Sequence, residues 1–155
     1  MTQESNPTLG DKDIVNLLQV LMASIDMICI KTRGYTYNVL GESFYEYHSF
    51  LNLTIENLHK QSYNVAERIR SLDATANFSL DNIETFSVVK DATAVVSDFS
   101  KMVKVLLSDY QTISDLARDT FKAAGEVADA GTIACVTSIA LKFEHFAWEL
   151  KAMAS

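Results

Sequence analysis

Backbone breakers are scarce in this 155-residue chain, which holds 5 glycines and 1 proline, Pro7, near its start. So few interruptions favour long helices, and the expected fold class is all-α. Cysteine is limited to Cys29 and Cys135, both inside apolar helical patterns. Each reads as a small buried hydrophobe, and neither a disulfide nor a nucleophile is expected. Clustered base is missing too: 13 Lys and Arg stand against 20 Asp and Glu, for a net charge of -7. The opening "MTQESNPTLGDKD" sets one Lys against three acids, and the chain closes as "KAMAS". Such a field repels phosphate backbones and attracts cations, so nucleic-acid binding by bulk charge is disfavoured. Residues 1–30 lack a basic start and a small-residue cleavage site, and no apolar run is expected to reach the ~18 residues of a membrane span. A cytoplasmic location without membrane contact follows as the expectation. The sequons "NLT" and "NFS" then carry no meaning.

What the chain does have is apolar content, at 48% of residues. A single domain of this length buries roughly 70% of the surface its unfolded chain exposes, enough for a core without disulfides. Four stripes recur at three-and-four spacing. The first runs Ile14, Leu17, Leu18, Leu21, Ile25, Ile28, and the second Phe44, Leu51, Ile55, Leu58, Val65, Ile69, Leu72. The third runs Val95, Phe99, Met102, Leu106, Tyr110, Ile113, Ala117, Phe121, and the last Ile133, Val136, Ala140, Phe143, Ala147, Leu150. Asp11 and Asp129 suit N-caps of the outer two helices, while Gly41 and Gly125 mark the first and last junctions. Those junctions are short, which makes the flanking helices antiparallel.

The middle connection, about Asp73 to Lys90, is too long to be structureless in a compact domain. Inside it "SLDNIETF" reads as a short helix capped by Ser79. A helix of ~28 residues is ~42 Å long, and a connection of this length can return along it. One long crossover joining two helical hairpins is the topology of a ferritin-like four-helix bundle. The expected organisation is a flexible arm over 1–10 and one bundle domain over 11–155.

Beside the apolar seam of the second helix runs another line: His48, Asn52, Ile55 or Glu56, His59, Tyr63, Glu67. It can be a solvated flank, or a face that meets a second subunit and holds a metal between chains. His48 and Glu67 lie ~28 Å apart along one straight helix, so a single chain cannot clamp an ion with both. Two copies packed antiparallel about a twofold axis bring His48 of one towards Glu67 of the other, twice.

The text "KTRGYTYNVLGESFYEYH" followed by "YNVAERIRSL" resembles the bacterial Dps family of mini-ferritins, whose pattern is "KTRNFHWNV.G..F...H" and then "D..AERI..L". "EHFAW" at Glu144 to Trp148 resembles that family's "DK..W". The resemblance implies a homo-dodecameric hollow shell built from twofold dimers, iron (Fe) oxidised between twofold-related subunits, usually with peroxide, and mineral stored inside. Carried over by position, it puts Thr36 where the family has its first histidine, and keeps His48 as the second. Asn52 takes a position often acidic, Tyr63 replaces an aspartate, and Glu67 keeps the glutamate. Tyr37 stands for the tryptophan. Two strong ligands make a weak iron site, since threonine and an asparagine carbonyl bind poorly and a phenol near pKa 10 must lose a proton to bind. Tyr35, Tyr37 and Tyr63 can pack an interface or absorb oxidising equivalents. Also by resemblance, "GEVADAGTIA" matches an acidic threefold pore whose text is close to "DD.T.D", with Asp129 and Thr132 in place. Glu126 and Asp129 repeated around such a pore would attract cations; the plainer alternative is that Asp129 caps its helix.

"ENLH", Glu56 to His59, has the Glu-x-x-His spacing of in-bundle di-iron sites, but the second pair is missing and the first helix offers Asp26 as its only carboxylate between Ile14 and Lys31. Three functions are therefore expected in order. The first is a Dps-like shell for iron binding, storage and protection from oxidative stress, with weakened or lost ferroxidase activity. An active Fe(II)-oxidising, peroxide-consuming ferroxidase is the alternative. A DNA-compacting structural protein ranks last, because DNA binding should be weak or absent at this charge.

Overall fold

The computed structural model describes the backbone of residues 9–92 and 94–155. Five helices run in order: α1 Leu9–Asn38, α2 Phe44–Ser71, α3 Leu80–Phe86, α4 Phe99–Glu126 and α5 Ala130–Ala154. Helix α1 packs on α2 and α4 on α5, forming two hairpins, and α1 also meets α4 while α2 meets α5. The long crossover between α2 and α4 carries α3 against α1. This is the ferritin-like four-helix bundle that the periodicity predicts.

The four stripes meet in one core that includes Leu18, Leu21, Ile25, Leu51, Leu58, Met102, Leu106 and Phe143. Tyr110 and Phe143 meet edge to face with ring centroids 5.4 Å apart. Helix α1 is the most enclosed element, because α2, α4 and the crossover cover it from separate sides. Leu21 through Cys29 are buried without a gap. That enclosure corrects the expectation about membrane spans: Asp13–Asn38 is long and apolar enough to cross a bilayer, with mean hydropathy 1.7, yet 67% of its apolar window is buried inside the bundle. An apolar helix of this kind belongs to a core wrapped on all sides.

Caps confirm two expectations and correct a third. Ser79 accepts from the Asn82 amide at the start of α3, and Asp129 accepts from the Thr132 amide at the start of α5. Asp11, by contrast, lies inside α1, which already begins at Leu9, so it is not the N-cap. Residues 1–8 of the expected arm lie outside the described residues. The connection between α2 and α4 is also longer than expected. Asp98 accepts from the Ser100 amide and starts α4 at Phe99, which leaves Val95 in the connection at 78% exposure rather than in the third stripe.

Candidate metal centre on the second helix

Helix α2 is unbroken from Phe44 to Ser71, so His48 and Glu67 sit near its two ends. Its core stripe is buried at Leu51, Leu58, Val65 and Ile69. The neighbouring line faces outward: His48 is half-buried, and Asn52, Glu56, His59, Tyr63 and Glu67 are exposed. Exposure of Glu56 and His59 rules out an in-bundle di-iron site built on them, since the space between the four helices is filled by apolar side chains. Among the described residues of one subunit, no three His, Cys, Asp or Glu side chains gather closely enough to hold a metal.

The individual positions differ in what they can offer. The His48 Nδ1 lies 3.4 Å from the Asn52 amide nitrogen, and its ring leans on Phe44 with centroids 5.3 Å apart. Thr36 is buried at 3% exposure and donates its hydroxyl to the Thr32 carbonyl at 3.0 Å. Thr32 in turn donates to the Ile28 carbonyl at 2.7 Å. The hydroxyl proton is thereby committed inside α1, as is usual for threonine within a helix. Tyr63 is 65% exposed. Tyr37 is exposed as well, and its hydroxyl accepts from Arg33 Nε at 2.9 Å. Glu67 faces a shallow 390 Å³ depression with Asn64, Arg68 and Cys135.

At the turn between α4 and α5 the acids are unlike each other. Glu126 ends α4 and is exposed, whereas both oxygens of Asp129 are engaged. One accepts from Arg68 Nη2 at 2.8 Å and from the Thr132 amide at 3.0 Å, and the other from the Thr132 hydroxyl at 2.5 Å. Burial raises the Asp129 carboxyl, but the Thr132 hydrogen bonds and the Arg68 charge outweigh it and hold the group below its ordinary value. Arg68 offsets the charge that Asp129 could present to a passing cation.

Two acids drawn in from solvent lie outside the line expected on α2. Lys31 Nζ and Asp109 Oδ2 form a 2.9 Å ion pair that ties α1 to α4, with side chains only 4% and 13% exposed. Asp26 is 7% exposed and lies in a 440 Å³ cavity between α1, α2 and α3. Ser62 donates to Asp26 Oδ1 at 2.5 Å, while Oδ2 has no partner among the described residues. Burial pushes the Asp26 carboxyl above its ordinary value, against the lowering influence of Ser62 and of nearby His59. The one available signal was its isolation, as the only carboxylate between Ile14 and Lys31 in an otherwise apolar stretch of α1.

Residues 15–155 match the ferritin-like domain family. Over 139 residues the chain is 27% identical to a low temperature-induced protein of Nostoc sp., covering 89% of this chain and 78% of that protein. It is 26% identical over 149 residues to a nutrient stress-induced DNA-binding protein of the same organism, covering 94% and 81%. The crystal structure of a Dps protein from Vibrio cholerae superposes with a TM-score of 0.89 at 26% identity, covering 94% of this chain and 91% of that one. The chain belongs to the ferritin-like domain family, and its fold is that of the Dps proteins.

Proposed function

We propose that this chain forms a Dps-type hollow dodecamer in the cytoplasm, built from antiparallel twofold dimers, and that it binds and stores iron as protection against oxidative stress with a weakened or lost ferroxidase. Iron is the cargo, and the seam between α2 helices is where it first binds. The observation that carries the reading is the outward line on α2, where His48 and Glu67 stand at opposite ends of one straight helix, beyond each other's reach within a chain. Antiparallel pairing places His48 beside the partner's Glu67 and makes two equivalent sites.

Weakness follows from the ligand count. Fe(II) at an open site needs several nitrogen and oxygen donors to bind and to favour the ferric product. Thr36 is buried with its proton held by a backbone carbonyl, and Tyr63 stands where a carboxylate would help. Direct DNA binding is weak in this reading, because a net charge of -7 opposes a polyanion.

Peroxide-dependent Fe(II) oxidation, followed by absorbance, separates the possibilities. The expected result is a rate near that of buffer. Rapid oxidation abolished in a His48→Ala, Glu67→Ala variant would instead establish a working ferroxidase. Sedimentation velocity tests the shell itself, and a monomer in solution would end the proposal.

A further inference from the structure

Resting on the antiparallel seam proposed above, we infer a second metal site close to the twofold axis, formed by Asp26 and His59 of one subunit with Glu56 of the partner subunit. Its ligand is a divalent transition-metal ion of borderline softness, such as Zn(II) or Fe(II). The residues that build it are separate from those at His48 and Glu67.

The register supplies the third ligand. Glu56 lies eight residues past His48, and His59 lies eight residues before Glu67. Any antiparallel pairing that sets His48 opposite the partner's Glu67 therefore sets His59 opposite the partner's Glu56. Symmetry repeats the pair, so two such sites flank the axis. Glu56 and His59 are both exposed on the single chain, as residues that complete a site only in the dimer should be. The Glu-x-x-His spacing is then used between subunits rather than within the bundle.

The buried acid supplies an independent reason. Asp26 lines this cavity and is 7% exposed, with one oxygen held by Ser62 and the other buried without a donor among the described residues. A carboxylate taken out of water without a counter-charge costs several kcal/mol, so a cation or a proton is expected there. Two basic side chains line the same cavity: Arg33 is fully exposed and bonded to the Tyr37 hydroxyl, which leaves His59 as the one that bears on Asp26. Cys29 also lines the cavity, but its thiol points to the Ile55 carbonyl at 3.8 Å, and burial pushes it up to about 11, so it stays protonated. Two carboxylate oxygens and one imidazole nitrogen, with water in the open position, match the donor set of a Zn(II) or Fe(II) site.

Co(II), whose visible absorption reports coordination, is the probe. In the full chain carrying His48→Ala and Glu67→Ala, equilibrium dialysis is expected to retain one Co(II) per subunit with a d–d band. Adding Asp26→Asn, which keeps the acceptor for Ser62, or His59→Ala or Glu56→Gln, is expected to weaken that binding at least tenfold. Sedimentation velocity on every variant distinguishes the outcomes. A monomer overturns the seam and this site together. An intact dimer or shell that binds no Co(II), or binds it equally well in all three variants, overturns this site alone.

Discussion

The buried ion pair between Lys31 and Asp109 gives a test in which a second substitution should undo most of the damage done by the first. Both groups are nearly out of solvent, at 4% and 13% exposure, and they join residues 78 positions apart in the chain. Lys31→Met keeps most of the aliphatic volume but leaves the Asp109 carboxylate without its partner. Breaking a buried pair from one side costs about 3–5 kcal/mol, whereas replacing both members with apolar residues of similar volume is often neutral or stabilising. Lys31→Met should therefore lower the melting temperature by roughly 6–20 °C, taking about 2–4 °C per kcal/mol for a chain of this size. Lys31→Met with Asp109→Leu should recover most of that loss. The pH dependence fixes the cause: burial already raises Asp109 despite Lys31, and removing Lys31 raises it further. The penalty of the single variant is then full at neutral pH and shrinks as pH falls through the raised Asp109 value, where the acid becomes neutral. Urea unfolding followed by circular dichroism at pH 7 and pH 4.5, at fixed protein concentration, measures all of this. A cost below about 1 kcal/mol for Lys31→Met would show that the pair is wet and that its burial has been misread.

Gly131 lies under the Arg68 guanidinium, and a Cβ there would stand 2.5 Å from Nη1, so Gly131→Ala should displace Arg68 from Asp129. Alanine raises helix propensity by up to about 1 kcal/mol, so the variant should be near neutral alone and stabilising by ~0.5–1 kcal/mol in an Arg68→Ala background, as thermal melts of the two pairs will show. Asp26→Asn should stabilise the metal-free chain at pH 7, because it removes a charge that burial disfavours. With the folded value raised above the ordinary 3.8, the gain should fade as pH drops through the folded value towards 3.8; an equal gain at pH 7 and pH 3.5 in urea titrations would contradict this.

The bundle was legible because each helix carries its own period and three of its starts carry a capping side chain. Ser79 and Asp129 were readable as caps on that ground, and Asp98 was equally available but hidden behind the apolar pair Val95 and Val96. Periodicity alone cannot say that Val95 stops short of a helix, because the stop is made by the Asp98 carboxylate. At the other end, α1 continues to Leu9 past Asp11, which shows that a capping residue type need not act as a cap. The outward line on α2 was legible from spacing, since a polar line beside an apolar one needs no tertiary knowledge. The Lys31–Asp109 and Asp26–Ser62 contacts were not, because each joins helices whose mutual rotation is fixed only when the core packs.

Helix α1 connects these observations. Its burial by α2, α4 and the crossover makes every buried polar side chain on it answerable to a specific partner. Gln19 donates to the Thr75 carbonyl, Ser24 accepts from the Val88 amide, Lys31 meets Asp109, and Thr32 and Thr36 bond back to α1 itself. Four of these five answers are complete within one subunit; the fifth concerns Gln19, whose carbonyl oxygen remains without a partner among the described residues. Asp26 is the ionisable group on α1 left half-answered, with one oxygen bonded and the other buried without a partner among the described residues. At Thr36 a residue that the family resemblance associates with metal has become self-sufficient. At Asp26 a residue with no such association has one oxygen unanswered, and either a proton or the proposed cation would answer it, so the Asp26→Asn and Co(II) measurements together decide between the two.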